Sequence, residues 1–278
     1  MTKITAQEVN NLRKITGAGM MDCKNALVEA EGDVEKSIEI LRKKGQKVAT
    51  KRADRDATEG IVIAKTTKNN DFGAVLMLNC ETDFVAKNND FVNFATLIID
   101  LAIAKKPQTV EELLALEVNG LTIDQKITDM IGKTGEKMSI HHYEVLSTPN
   151  VFAYNHQGNR LACILGMSDT KMEDIAQVGH EIAMQVAAMA PIAVDEAGVS
   201  KEIIEKELDI AKDLLRQEGK PEDMIEKIAL GKLNRYFKDN TLINQVFVRD
   251  GKISVKQYLK ECDPDLKVID FKRLMLGE

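Results

Sequence analysis

The chain has 278 residues, 44% of them apolar, enough for one large domain or roughly two to three small ones with real cores. Its net charge of −6 argues against a nucleic-acid or polyanion binder as the main function, because neutralising phosphates needs a concentrated basic face. No run approaches the roughly eighteen apolar residues of a membrane span, and the N-terminus is polar from its second residue, so neither a span nor a signal peptide is expected and a cytoplasmic location is.

Residues 1–45 read as three short helices. Thr5 with Glu8 forms a capping box, and Val9, Leu12 and Ile15 share one face until Gly17 stops the helix. A second helix spans Asp22 to Ala30 and ends at Gly32. Asp33 caps the third, whose Val34, Ile38 and Leu41 point one way before Gly45 closes it. Residues 46–57, rich in Lys47, Lys51, Arg52, Asp54, Arg55 and Asp56, suit a solvated linker or exposed helical turn, and a domain boundary is set there.

Ile61–Lys65 and Gly73–Leu78 flank Asn69-Asn70-Asp71, the pattern of a β-hairpin. Beyond Asn79, Phe91, Phe94, Ala95, Ile98, Leu101 and Ala102 recur at helical spacing, so Asp83-Phe84 falls near a strand-to-helix junction, where an acidic residue can accept N–H bonds from the helix start. Phe84 lies seven residues before Phe91 and could extend the core face of an early-starting helix. Lys87 and Asn88 occupy the intervening turn, however, so spacing alone leaves core and outward contact equally open.

Helices are expected at Val110–Leu116 and Thr122–Ile131, then strands at Met138–Leu146 and Val151–Tyr154. Leu161–Met167 followed by a helix to Ala190 repeats the earlier strand-turn-helix, and aligning Ile98 with Ile182 sets Pro107 opposite Pro191. The fold class is therefore α+β, a duplicated core of antiparallel sheets with helices, divided as 58–140 and 141–278. Ile204, Leu208, Ala211 and Leu215 form a coiled-coil-like seam, and Gly219-Lys220-Pro221 turns the chain into a return helix through Met224, Ile225, Ile228 and Ala229. This gives an inserted antiparallel helical hairpin at about 195–241, a surface open to self-association or to a partner. A short helix at Val255–Leu259 and a strand near Val268–Phe271 finish the chain.

Catalytic signatures fail on inspection. Gly132-Lys133-Thr134 has Ile127 where a phosphate loop needs glycine, His180-Glu181 has Met184 where a zinc protease needs histidine, and Gly17-Ala18-Gly19 has Asp22 where a dinucleotide fingerprint needs glycine. His141 and His142 lack a ligand set, and Cys23, Cys80, Cys163 and Cys262 form no C-x-x-C and read as reduced core thiols. No catalytic residue, metal or cofactor is expected.

Thr82-Asp83-Phe84-Val85-Ala86-Lys87-Asn88 resembles the signature of bacterial elongation factor Ts, and Thr16-Gly17-Ala18-Gly19-Met20-Met21-Asp22-Cys23-Lys24 resembles that family's N-terminal signature. The similarity runs over almost the whole chain, from Ile4. It implies that the first three helices are a ubiquitin-associated-like domain. It further implies a guanine-nucleotide exchange factor, not an enzyme, whose partner is elongation factor Tu in a nucleotide-free complex. Asp83 and Phe84 would engage the GTPase domain, with Thr82, Val85 and Lys87 in the same motif. Leu12, Met20 and Met21 would dock a helix of the partner, a role that adjacent flexible methionines suit because both cannot face one small core. Tyr154-x-His156-x-Gly158 resembles a family pattern beside the partner's nucleotide site, which makes His156 a further contact. Some family members add a C-terminal helix that also touches the partner; Leu276-Gly277-Glu278 closely follow the last expected strand here, which leaves that contact open. The competing reading is a ubiquitin-like or helix-binding adaptor acting through the N-terminal bundle.

Overall fold

A computed structural model of the chain describes residues 4–278. Its elements in order are α1 (Ala6–Thr16), α2 (Met20–Glu29), α3 (Val34–Lys51), β1 (Glu59–Thr66), β2 (Gly73–Cys80), α4 (Asp83–Ala86), α5 (Asn89–Lys105), α6 (Val110–Ala115), β3 (Glu117–Val118), β4 (Leu121–Thr122), α7 (Ile123–Thr134), β5 (Met138–Leu146), β6 (Asn150–Asn155), β7 (Leu161–Met167), α8 (Ile175–Met189), α9 (Lys201–Gln217), α10 (Glu222–Asn240), α11 (Val255–Cys262) and β8 (Val268–Met275). The fold is α+β with sheets of order β1-β2-β5 and β6-β7-β8 and the small β3-β4 ribbon, which turns through Asn119-Gly120 with both residues at positive φ.

The chain divides into two compact units. One takes in the chain up to Ile63, Leu76–Glu144 and Met275–Glu278; the other holds Ala64–Val75 and Val145–Leu274. Each three-stranded sheet is built alike: a hairpin, a long helix, then a third strand that pairs with the hairpin's second strand. That second strand is central, and β2 and β7 are buried along their whole length. This is why Gly73–Cys80 and Leu161–Met167 read as unbroken apolar runs and not as alternating ones. The helices that follow also end alike. Lys106 and Ala190 are C-caps in the left-handed region at φ 55° and 42°, and each precedes a proline, which disfavours a further helical residue.

In the first unit Val9, Leu12, Cys23 and Leu27 form the core of the three-helix bundle. Ile15 turns away and is 64% exposed, so the expected apolar face of α1 ends one turn early. Helix α3 also departs from expectation. It passes through Gly45 and continues to Lys51, which converts the first half of the expected linker into helix. Gly45 is needed for contact here: it faces Gly132 of α7, and a methyl carbon on Gly132 would lie 2.9 Å from the Gly45 Cα. Two glycines let the helix backbones approach where any side chain would hold them apart.

In the second unit α8 lays Val178, Ile182, Ala183 and Val186 on Cys163, Leu165 and Met167 of β7. Helices α9 and α10 pack antiparallel through Ala211 and Leu215 against Ile225 and Ala229, with Leu233 and Phe237 meeting Val199 nearer the base. Met224, in the first turn of the return helix, is exposed. Among the described residues no helix is long and apolar enough to cross a membrane.

Gly132→Ala separates helix propensity from packing, since alanine favours the isolated helix by about 1 kcal/mol while overpacking costs roughly 1 to 3 kcal/mol. We expect a net loss of stability, read as a lower urea midpoint with an unchanged slope. A raised midpoint would show that the crossing has room.

Candidate functional site

The strand-to-helix junction after β2 folds as a separate single turn. Thr82 takes the N-cap position, its hydroxyl accepting the Val85 N–H at 3.4 Å. Asp83, the residue expected to cap, sits in the first turn and pairs instead with the Lys87 ammonium at 2.7 Å. That side-chain bond to Lys87 is the main influence holding the Asp83 carboxyl below its usual range. Asn88 then caps α5 afresh, accepting the Asp90 N–H at 2.9 Å. The helix that carries Phe91 and Phe94 therefore starts after Phe84, which is not part of its core stripe. Phe84 is 83% exposed, the most exposed large apolar side chain described.

The turn has no buried residue of its own and is braced from beneath by polar contacts. Glu136 grips Thr82 with both oxygens, accepting the backbone N–H at 3.0 Å and the hydroxyl at 2.6 Å. Reciprocally, Glu81 accepts the Lys137 N–H at 2.6 Å, and both of its oxygens take Arg52 Nη1, at 2.9 and 2.8 Å. The Lys137 ammonium donates to the carbonyls of Ala53 and Arg55 at 2.7 and 2.9 Å. Burial alone would raise the Glu81 carboxyl, but the Lys137 N–H, Arg52 and the charge of Arg55 together hold it below its usual range. Beneath the turn, the Cys80 thiol donates to the Thr82 carbonyl at 3.2 Å, and burial, with Glu136 nearby, pushes it up to about 12. Such a thiol is inert at neutral pH.

The other expected site residues fall into three groups. Met20 and Met21 are the first residues of α2, not loop residues, and both are exposed, at 54% and 63%. Leu12 is 1% exposed in the bundle core; its side chain faces inward and supports that surface without offering contact. His156 lies exposed in the β6–β7 turn, where its N–H donates to the Leu161 carbonyl at 2.9 Å and its Nδ1 lies 3.0 Å from the Tyr154 hydroxyl. Val85 is half-buried and Lys87 exposed. Arg52, Glu81, Glu136 and Lys137 are the site's supports that sequence reasoning missed. Arg52 had been assigned to a solvated connector, and nothing in residue spacing pairs Glu81 with Lys137, 56 positions away.

Among the described residues no group of three or more His, Cys, Asp or Glu could hold a metal ion. Fold and site together define an α+β protein that holds an aromatic ring out on a braced turn. A family model described as "Elongation factor TS" matches residues 81–278. Curated proteins named elongation factor Ts are similar over the full length: that of Amoebophilus asiaticus is 51% identical over 99% of each chain, and those of Christiangramia forsetii and Flavobacterium psychrophilum are 50% and 51% identical over the whole of each. The chain belongs to the elongation factor Ts family of translation elongation factors.

The Arg52–Glu81 pair makes the brace testable by pH. Because the Glu81 carboxyl is lowered on folding, its contribution is present above the unfolded pKa and is lost as pH falls through the folded one. We expect Arg52→Met to lower the unfolding free energy by about 1 kcal/mol at pH 7, the upper end for a partly exposed pair, and the gap from the parent chain to close as pH drops below the carboxylate range. A gap independent of pH would mean that the pair is not what Arg52 contributes.

Proposed function

We propose that the chain is a guanine-nucleotide exchange factor that promotes GDP release from elongation factor Tu in the cytoplasm, with no catalytic chemistry of its own. In this reading Phe84 enters between elements that support the partner's magnesium and phosphate sites, while Asp83, Lys87 and Thr82 fix the direction of approach and Val85 backs the turn. Magnesium demands near-ideal octahedral geometry and holds few protein ligands, so a small shift of its supporting segment costs much of the nucleotide's affinity. By reciprocity the nucleotide weakens the factor equally, so the complex forms nucleotide-free and dissolves when GTP binds. Met20 and Met21 form a second contact and His156 a third. The domains in this reading are a ubiquitin-associated-like bundle, expected over residues 1–45 but with its third helix running on to Lys51; a connector over the remainder of 46–57; and two related α+β subdomains at 58–140 and 141–278, the latter carrying the helical hairpin.

The observation that carries this reading is the exposure of Phe84 on a turn that is otherwise fastened down. An apolar ring left in water forgoes the roughly 1.5 to 3 kcal/mol that burial would return, and a partner is where that burial is recovered. The adaptor reading has less support, because α3 of the bundle packs along α7 and its end is tied to Glu81, an arrangement unlike a freely hung recognition module.

The test is release of fluorescent GDP from elongation factor Tu. Phe84→Ala should cut the stimulated rate by about 30- to 1000-fold, the roughly 2 to 4 kcal/mol of a central anchor, with the fold intact by thermal melting. A stimulated rate equal to that of the parent chain would falsify the Phe84 assignment.

A further inference from the structure

A four-residue helix has no stability of its own in water, since helices shorter than about 12 to 15 residues are marginal even in good sequences. No side chain of α4 is fully buried and Val85 is only half-buried, so apolar packing gives the direction of Phe84 little support. Its order comes from the Thr82 hydroxyl, which has two jobs at once. It accepts the Val85 N–H that starts the turn, and it donates its own proton to Glu136 at 2.6 Å. A hydroxyl whose proton is committed to a carboxylate turns its lone pairs toward the remaining donor. Without Glu136 that rotor is free, and the Thr82 N–H, held by Glu136 at 3.0 Å, loses its acceptor as well.

Glu136 is itself well placed to hold still. Gly135 closes α7 at φ 76°, and Thr134 accepts the Glu136 N–H at 3.2 Å, so the acid projects from a capped helix end. That helix is seated on α3 at the Gly45–Gly132 crossing.

We propose that Glu136 is a positioning residue for Phe84: it sets the Thr82 hydroxyl and N–H, and through them the direction in which the ring leaves the protein. The proposal rests on the reading of Phe84 as the partner contact. Glu136 touches no partner in this scheme and acts only through the turn. Its removal should therefore spoil what the ring does once docked more than it spoils docking, because a displacement of about 1 Å in a positioned group can cost about 100-fold in rate.

The experiment measures fluorescent GDP release from elongation factor Tu against rising concentrations of the full chain, which separates the saturating rate from the half-saturating concentration. Glu136→Ala should lower the saturating rate by about tenfold or more, as for loss of a charge-assisted hydrogen bond, with the half-saturating concentration changed by less than about threefold. Glu136→Gln can still accept the Thr82 N–H, but its amide N–H can only donate to the hydroxyl and reverses that bond, so it should restore part of the rate and fall between Glu136→Ala and the parent chain. Adding Glu136→Ala to Phe84→Ala should slow release no further than Phe84→Ala alone. If Glu136→Ala gives no cooperative melt, Thr82→Val replaces it in the same cycle, since it removes the hydroxyl while keeping the N–H.

A parent-like saturating rate in Glu136→Ala overturns the proposal. So does a loss confined to the half-saturating concentration, or a double variant slower by the product of the single factors, since each would place Glu136's role elsewhere. If Phe84→Ala itself releases GDP at the parent rate, the reading of Phe84 fails first and the positioning role falls with it.

Discussion

Two acidic residues and the two residues that follow them hold this surface together. Glu136 accepts from the backbone of Thr82, and Glu81 accepts from the backbone of Lys137, so the segments 81–82 and 136–137 are joined by a reciprocal exchange of side-chain acceptors and main-chain donors. Each such bond is charge-assisted and partly buried, the conditions under which a hydrogen bond is worth most and its loss costs most. Arg52 completes the exchange by supplying positive charge to Glu81, and the Lys137 ammonium fastens the chain just beyond α3. Phe84 can stay in water because the turn that carries it is fastened by these polar contacts, with Val85 only half-buried behind it.

The two sheets show which part of this arrangement belongs to the fold and which was added to it. In the second unit, too, a threonine in the loop between the central strand and the long helix gives its hydroxyl to an acid lying ahead of the third strand: Thr170 donates to Asp263 at 2.6 Å. Thr170 then accepts the Met172 N–H, much as Thr82 accepts that of Val85. The threonine–acid brace thus recurs with the hairpin-helix-strand plan, and Asp263 is held below its usual range chiefly by that bond. No aromatic stands on the second brace, where the sequence reads Asp169-Thr170-Lys171-Met172. A ring projected into solvent is therefore not a requirement of the fold, and its presence on one copy alone needs another cause.

What the sequence made legible follows the range of the forces involved. Helix starts at Thr5 and Asp33 and the stops at Gly17 and Gly219 are local events, written in the residues that make them. The central strands were legible as apolar runs because full burial leaves no room for alternation. Errors arose where a distant element overrode a local preference. Gly45 reads as a helix stop, yet the helix runs through it, and the glycine instead meets Gly132 of α7, far along the chain. Asp83 reads as a cap, yet Thr82 takes that place once Glu136 orients its hydroxyl, and Asp83 is left for Lys87. The exposure of Phe84 could not be decided by spacing because the deciding feature is a break in the helix at Asn88, a capping choice and not a periodicity.

The continuation of α3 past Gly45 also changes how the exposed residues of the first unit relate to one another. Had the bundle ended there, Met20 and Met21 would ride on a flexible tether, and any partner engaging both them and Phe84 would bear the entropy of ordering that tether on binding. Instead α3 lies along α7, its end is bonded to Glu81, and the chain beyond it is bonded to Lys137. The methionines and the phenylalanine belong to one compact unit, with their separation set before any partner arrives. Under the proposed reading, two contacts held at a fixed spacing would select for a partner that matches both, with the ordering cost met during folding and not during each encounter. On this view the brace around Glu136 and the glycine crossing serve the same end, since one sets the direction of the ring and the other sets the distance from it to the methionines.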